Sequence, residues 1–300
     1  MRWTFVFAAV LIALVSSAVV AADDWIGKQV FLKDGAKAKV GQTRIDIAVL
    51  GSPATVGNVN GDWLWVERAW VRKADVMLSA QALSYYTEQI RRNPSSAKHW
   101  VHRAAVWQTI GEFDNAIKDY TEAIRFNPSY PPAYDNRGKA SMHQGDLDSA
   151  IRDFTEAIRL NPKQKLTYSN RGGAFAIKGN YANAVADLEN AISLDPNYVD
   201  ALANLAELYS CCPDPKVRDG QKAMALAKRA CELSGWNALI NLHYLACAYA
   251  ETEDFLEAIQ WEQKAIELTH PTKRKNLEAL NRALESFREN KAFHELVLFE

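Results

Sequence analysis

Four prolines recur at one fixed spacing, and this spacing is the strongest constraint that the sequence places on the fold. Each lies 34 residues after the one before, and they are Pro94, Pro128, Pro162 and Pro196. The residues that lead to them keep the same register, since YTEAIRFN at 120–127 returns as FTEAIRLN at 154–161. A fixed period of this length indicates an array in which each unit buries its apolar face against its neighbours. Such an array presents a binding surface rather than a catalytic pocket.

Small and aromatic or large apolar residues hold fixed places within each period. In the second full unit these are Gly138, Ala150 and Phe154, and in the third they are Gly172, Ala184 and Leu188. Small residues are needed where two antiparallel helices cross closely, and Asn-Pro or Asp-Pro ends the second helix of each pair. The sequence therefore predicts a mainly α fold, an α-solenoid of helical hairpins.

This pattern strongly resembles the tetratricopeptide repeat (TPR) over about 220 residues. The resemblance implies a TPR array at 78–300, with a loop at 212–220 that inserts about five residues into the fourth full unit. The expected units are a half repeat at 78–96, full repeats at about 97–130, 131–164, 165–198, 199–236 and 237–270, and a C-terminal capping helix at 271–300.

The segment at 23–77 differs, because it consists of several short β-rich runs. Asn60-Gly61 between two of these runs predicts a tight hairpin turn. The pattern NGDWLWV at 60–66, followed by AWV at 69–71, resembles bacterial SH3-like domains. This resemblance implies a small β-barrel in which Trp63, Trp65 and Trp70 form an aromatic groove for a peptide, including a cell-wall peptide. The alternative is that the three tryptophans form the core of the barrel.

The N-terminus has the layout of a secretory signal peptide at 1–22. Arg2 precedes an apolar run at 5–15, and Val20 and Ala22 fit the small-residue cleavage pattern. We expect an exported chain, periplasmic or secreted, with no integral membrane span after cleavage. The alternative is an uncleaved segment that tethers the chain to a membrane.

Charge and motifs exclude several classes of function. Without Arg2 the chain has 34 basic residues (35 − 1) against 36 acidic ones, which argues against nucleic acid as a partner. HExxH, GxSxG and P-loop motifs are absent from the sequence. His99 and His102 share a helix spacing but have no evident third ligand. We therefore expect a protein that is not an enzyme, with no catalytic residue, metal or cofactor.

One place on the first helix of each unit holds an amide or imidazole side chain, and these residues are His102, Asn136, Asn170 and Asn204. The TPR resemblance implies that this place faces the concave groove, where in some members Asn hydrogen-bonds the backbone of an extended peptide. An amide both donates and accepts, so it can pair with a main chain of any sequence. The alternative is that Asn here serves contacts between repeats.

The next place along the same helix is an arginine in three units. Each arginine stands 16 residues before an aspartate, and the pairs are Arg103 with Asp119, Arg137 with Asp153, and Arg171 with Asp187. This recurrence predicts structural ion pairs within the stack.

The four cysteines are Cys211, Cys212, Cys231 and Cys247. Export permits disulfide bonds, and an antiparallel hairpin is expected to bring Cys212 near Cys231. The alternative is that all four are buried free thiols.

Together these features favour an exported adaptor or scaffold that binds a peptide or protein in the concave groove of the array. One alternative is a structural protein of the cell envelope that docks on cell-wall material through the SH3-like domain. Another is a non-catalytic subunit that supports an enzyme complex.

Overall fold

The computed structural model describes residues 25–40, 43–45, 53–66 and 69–296. The predicted signal peptide at 1–22 lies outside the described residues. Contacts divide the chain into two compact units, Met1–Tyr85 and Tyr86–Glu300. The predicted domain boundary after residue 77 stays a prediction. No helix within the described residues combines the length and the apolar character needed to cross a membrane.

The first unit contains one antiparallel sheet. In the described residues its seven strands follow the spatial order β3-β2-β6-β5-β4-β1-β7. The strands are β1 Gln29–Leu32, β2 Ala38–Val40, β3 Thr43–Ile45, β4 Ala54–Asn60, β5 Trp63–Val66, β6 Ala69–Arg72 and β7 Val76–Met77. A likeness to SH3-like domains stays a prediction.

The hairpin between β4 and β5 turns one residue later than the sequence predicts. Asn60 is still in β4 and pairs with Trp63, so the two-residue loop is Gly61-Asp62 rather than Asn60-Gly61. Gly61 has a φ of +56°, a conformation that glycine adopts without a steric penalty. The register also shifts at Gly57, between Val56 and Asn58, as expected for a β-bulge at a glycine.

The sheet buries one set of alternating side chains. Leu64, Val66 and Val71 are fully buried in its core, while Trp63 and Trp65 lie at the alternate positions of β5 and are half-buried. Successive side chains of a strand point to opposite faces. The tryptophans of β5 are therefore not the core of this sheet.

The second unit is a stack of helices. Twelve helices lie in the described part of the chain, with α1 beginning just before the division between the units. They are α1 Ser79–Arg92, α2 Ala97–Thr109, α3 Phe113–Phe126, α4 Pro131–His143, α5 Leu147–Leu160, α6 Lys165–Ile177, α7 Tyr181–Leu194, α8 Val199–Cys211, α9 Gly220–Leu233, α10 Leu239–Glu251, α11 Phe255–Leu268 and α12 Arg274–Arg288. The predicted mainly α solenoid is confirmed.

Four of the five hairpins between α2 and α11 have a three-residue turn, which the α4–α5 pair illustrates. Gly145 lies at φ +81°, and Asp146 caps α5 by accepting the backbone N–H of Ser149 at 3.0 Å. Three residues separate these helices, whereas the eight residues at 212–219 separate α8 from α9. The α8–α9 connection is therefore five residues longer (8 − 3), which agrees with the insertion predicted for the fourth unit.

Glycine allows the paired helices to approach closely. A Cβ atom on Gly138 would lie 2.8 Å from the ring of Phe154, and one on Gly172 would lie 3.1 Å from Leu188. Phe154 and Leu188 are buried. The small residue of the first helix thus makes room for the large residue of the second, one unit after another.

Arginine connects neighbouring helices at three successive steps of the stack. Arg137 donates two hydrogen bonds to Asp153, at 2.8 and 2.7 Å, and a third to Thr121 of the preceding unit at 3.1 Å. The same arrangement joins Arg103 to Asp119 and Thr87, and Arg171 to Asp187 and Thr155. Bidentate arginine–carboxylate pairs fix geometry as well as charge. The predicted structural ion pairs are confirmed.

The array closes with α12 and the segment that follows it. Leu280 and Phe287 of α12 are fully buried. Asn290 then lies at φ +56°, and the chain continues without regular structure to Leu296. Phe293 packs against the ring of His243 in α10 at 6.2 Å between ring centres. This segment therefore returns from the end of α12 to contact α10, the first helix of the last hairpin.

Candidate functional site

The first helices of successive units line two adjoining cavities, which we call the inner groove. One cavity is about 600 Å³ and the other about 670 Å³ in volume. Four residues line both, and they are Met142 of α4, Gly173 of α6, Asn204 of α8 and Ile240 of α10. Cavities of this size fall in the range of small-ligand sites. They adjoin, so the groove offers room for several residues of a peptide.

The structure places the predicted peptide-binding residues in two groups. Asn170 and Asn204 line the same cavity. Asn136 of α4 is half-buried but lines neither cavity, and the ring of His102 packs edge-on against Tyr86 of α1 at 5.1 Å. The inner groove thus gathers Asn170 and Asn204, and leaves Asn136 and His102 outside. A binding role for any of the four stays a prediction.

A buried carboxylate orients the amide of Asn170. Its Nδ2 donates to Asp135 Oδ1 at 3.2 Å, and Asp135 also pairs with Lys139 at 3.0 Å. The carbonyl oxygen of Asn170 therefore points away from the carboxylate and can accept a hydrogen bond. A preoriented amide loses less conformational entropy when it binds a peptide backbone.

One end of the inner groove is apolar. Ala176, Ile177 and Tyr181 line it from the third unit, and Tyr244 and Leu296 line it from the end of the stack. Ile177 is 46% exposed, so its side chain is accessible to a ligand. Sequence reasoning missed Ile177 because it does not recur at the 34-residue period, where His143 and Cys211 stand. The only sequence signal for Ile177 is an apolar side chain on a first helix at a place where other units differ.

The other end of the inner groove is polar. Ser169, Tyr198 and Asp200 line it together with Asn237 and Asn241. Burial, followed by the charge of Asp200, raises the pKa of Tyr198 to about 12. The Tyr198 hydroxyl therefore stays protonated at neutral pH and keeps a proton to donate.

Three tryptophans form a separate aromatic surface on the sheet. Trp65 and Trp70 meet edge-to-face at 5.4 Å, and Lys39 Nζ lies 3.8 Å from the ring centre of Trp63. All three rings are half-buried, with Leu64 on the opposite, core-facing side of the strand. Aromatic pairs and cation–π contacts stabilise such a surface without closing it to a ligand.

The predicted bond between Cys212 and Cys231 is wrong for this structure, in which all four cysteines are free thiols. Cys212 caps the end of α8, whereas Cys231 packs against Leu202 and Ala203 near its beginning. Antiparallel helices bring the end of one next to the start of the other. The two thiols therefore lie at opposite ends of the α8–α9 hairpin.

Metal-ligating side chains do not gather at any point in the part of the chain that the structure describes. No group of three or more His, Cys, Asp or Glu side chains there could hold a metal ion.

Comparison with protein families agrees with the repeat pattern. The sequence at 110–144 and 172–210 matches the family described as TPR repeat, and 131–164 matches the family described as tetratricopeptide repeat. The predicted TPR repeats are thereby confirmed over 110–164 and 172–210. No curated protein matches the chain.

Solved structures of low sequence identity share the fold. The structure of the APC/C hetero-tetramer Cut9–Hcn1 is 18% identical with a TM-score of 0.59, over 71% of this chain and 40% of that one. Yeast Tom70 is 18% identical with a TM-score of 0.53, over 72% and 45%. YrrB, a TPR protein with an unusual peptide-binding site, is 18% identical with a TM-score of 0.51, over 63% and 94%. This chain thus spans less than half of the first two.

Proposed function

We propose that this protein is an adaptor that binds a peptide or a segment of another protein in the inner groove of its TPR array. TPR repeats are typical of adaptors and scaffolds for protein–protein interaction. The observation that supports this site most directly is the shared cavity of Asn170 and Asn204, which continues into the apolar end at Ile177. YrrB, which shares the fold, is a TPR protein with a peptide-binding site, and this supports a peptide as the ligand.

The binding mode combines two kinds of contact. Asn170 and Asn204 hydrogen-bond the peptide backbone, because their amides pair with any main chain. Apolar side chains of the peptide bury against Ile177 and Tyr181 at the other end of the groove. The ion pairs of the stack hold the helices in place, so little entropy is lost when the peptide binds.

We further propose that the chain acts after export, with a signal peptide at 1–22 removed. Arg2, the apolar run at 5–15 and the Val20-x-Ala22 pattern support this. N-terminal sequencing of the purified product is the test. A chain that begins at Asp23 supports export, and a membrane-bound chain that retains Met1 supports an uncleaved anchor.

Peptides selected from a random displayed library against the full chain test the groove. We expect the double variant Asn170→Ala/Asn204→Ala to bind the selected peptides about 5- to 150-fold more weakly. This follows because two hydrogen bonds of about 0.5–1.5 kcal/mol each are lost. Asn136→Ala is the matched control, since Asn136 lies outside both cavities. Fluorescence anisotropy measures the affinity, and circular dichroism confirms the helices. Full-strength binding by a folded double variant would move the site elsewhere.

The half-exposed tryptophan surface favours a second function, docking of the sheet on cell-wall peptide. Trp65 and Trp70 form its centre. Sedimentation of the full chain with purified peptidoglycan is the test, and Trp70→Ala should reduce the bound fraction. A wild-type chain that stays in the supernatant would count against this function.

A further inference from the structure

The segment at 291–296, which we call the strap, reaches the apolar end of the inner groove. It follows α12 without regular structure, and Leu296 lines the 600 Å³ cavity of the groove together with Ile177 and Tyr181. Leu296 also lines a separate cavity of about 800 Å³ beside α12. This half-buried side chain therefore lies between the inner groove and the cavity beside α12.

The first half of the strap is held firmly. The backbone N–H of Lys291 donates to the carbonyl oxygen of Ser286 at 3.0 Å, and Ser286 Oγ donates to the carbonyl oxygen of Lys291 at 3.0 Å. Phe293 is buried and packs edge-on against the ring of His243. Glu262 fixes that ring, because its carboxylate accepts a hydrogen bond from His243 Nδ1 at 2.9 Å. The strap is thus anchored to α12 and α10 as far as Phe293.

The second half of the strap is held by charged side chains near the surface. His294 Nε2 lies 2.7 Å from a carboxylate oxygen of Glu251, and Arg282 donates to Glu295 at 3.2 Å. The side chains of Arg282 and Glu295 are 57% and 48% exposed. Exposed ion pairs contribute little stability, and segments with few buried contacts open locally while the rest stays folded. Leu296 is therefore the part of the strap that leaves most readily.

Leu296 makes the kind of contact that we propose for a bound peptide. Its side chain packs against the apolar cluster that contains Leu208 of α8, and both leucines line the inner groove. Ile177 remains 46% exposed beside it. The strap thus covers the apolar end of the groove in part, with one aliphatic side chain.

We propose that the strap is an internal ligand of the inner groove, and that a bound peptide displaces Leu296 with an aliphatic side chain of its own. This rests on the proposed function, because displacement requires a groove that binds a peptide. An internal competitor lowers the apparent affinity by the fraction of chains in which it is open. The strap therefore admits peptides with a side chain about the size of leucine and rejects those that cannot replace Leu296.

Leu296→Ser in the full chain tests the competition. We expect the peptides selected from the displayed library to bind roughly 10-fold more tightly, as for a strap that is open in about 10% of wild-type chains. Leu268→Ser is the matched control and should bind as the wild type does, since Leu268 is 43% exposed on α11 and lines neither cavity of the groove. Fluorescence anisotropy measures the affinities. Unchanged or weaker binding by a folded Leu296→Ser chain would overturn the proposal, because a fixed wall of the site gives that result.

The exposed ion pair offers a second test that leaves the lining of the groove intact. Neither Glu295 nor Arg282 lines the inner groove. Glu295→Lys places two positive charges together, so we expect the strap to open and peptides to bind up to about 5-fold more tightly. The reversed pair Glu295→Lys/Arg282→Glu should return the affinity to that of the wild type. Affinities that do not follow the charge pair would count against the strap.

An apolar dye separates this inference from the proposed function. Anilinonaphthalene sulfonate binds exposed apolar surface, so folded Leu296→Ser should bind more of it than the wild type. Ile177→Ser in the same chain should remove the gain, which places the dye at the apolar end of the groove. A gain without peptide binding by either chain would support closure by the strap and refute the adaptor function. Equal dye binding, with peptides still bound, would overturn the strap and leave the function standing.

Discussion

Three glycines of the array differ in the room available for a side chain, and their alanine variants should differ in stability accordingly. A Cβ atom on Gly138 would lie 2.8–3.1 Å from three ring atoms of Phe154. On Gly172 it would lie 3.1 Å from Leu188 Cγ, and on Gly173 it would meet no atom within 4 Å. Because Gly172 and Gly173 are adjacent in α6, they form a matched pair in one helix.

Two effects set the expected magnitudes. Each substitution gains about 0.5–1 kcal/mol, because glycine is a poor residue for a helix interior. Overpacking a buried contact costs about 1–3 kcal/mol, and Phe154 has no free space because it is fully buried. Gly173→Ala should therefore raise the free energy of unfolding by about 0.5–1 kcal/mol. Gly138→Ala should lower it by up to about 2 kcal/mol, and Gly172→Ala should lie between.

Urea denaturation followed by far-ultraviolet circular dichroism measures the order of the three variants. Equal m-values across the variants are needed before midpoints are compared. Phe154→Leu should recover part of the loss in Gly138→Ala, because it copies the Leu188 of the next unit. A double-mutant cycle measures this coupling. Equal midpoints for Gly138→Ala and Gly173→Ala would refute the close helix crossing.

Two further changes test the stack and its turns. Arg137→Met should lower the free energy of unfolding by about 2–4 kcal/mol, since it leaves the buried Asp153 carboxylate without its partner; an unchanged urea midpoint would contradict this. Glu253→Gly should raise the melting temperature, because Glu253 lies at φ +65°, where a non-glycine residue costs roughly 1–2 kcal/mol. The reverse change, Gly145→Glu, should lower it, and a shift of the same sign in both would contradict the reasoning.

The 34-residue period predicted the array because residues that repeat are those that every unit buries in the same way. Gly138 and Phe154 fill one helix crossing, and Arg137 pairs with Asp153 between the helices. Such positions allow few residue types, so they leave a pattern in the sequence. The Asn60-Gly61 turn was displaced by one residue because strand pairing extends β4 through Asn60.

Contacts between residues that do not repeat could not be read from the pattern. His243 and Glu262 are 19 residues apart, and no other unit has this pair. Cys211 and Cys247 enter one apolar cluster only when α8 packs against α10. The prediction of a Cys212–Cys231 bond is wrong because it was based on one hairpin alone. The first helix of a pair also packs on the first helix of the next pair, as α8 does on α10.

Selectivity of the inner groove should reside in residues that break the period. Asn170 and Asn204 follow the 34-residue period. In the proposed binding mode, their amides recognise only the backbone that all peptides share. Ile177 does not follow the period, because the equivalent residues of the neighbouring units are His143 and Cys211. If the groove binds a peptide as proposed, an exposed isoleucine at its apolar end should select for apolar side chains by area buried, about 25 cal/mol for each Å². In the proposed binding mode, Asn170 and Ile177 of α6 thus have separate roles in backbone binding and side-chain selection, and the two can be altered separately.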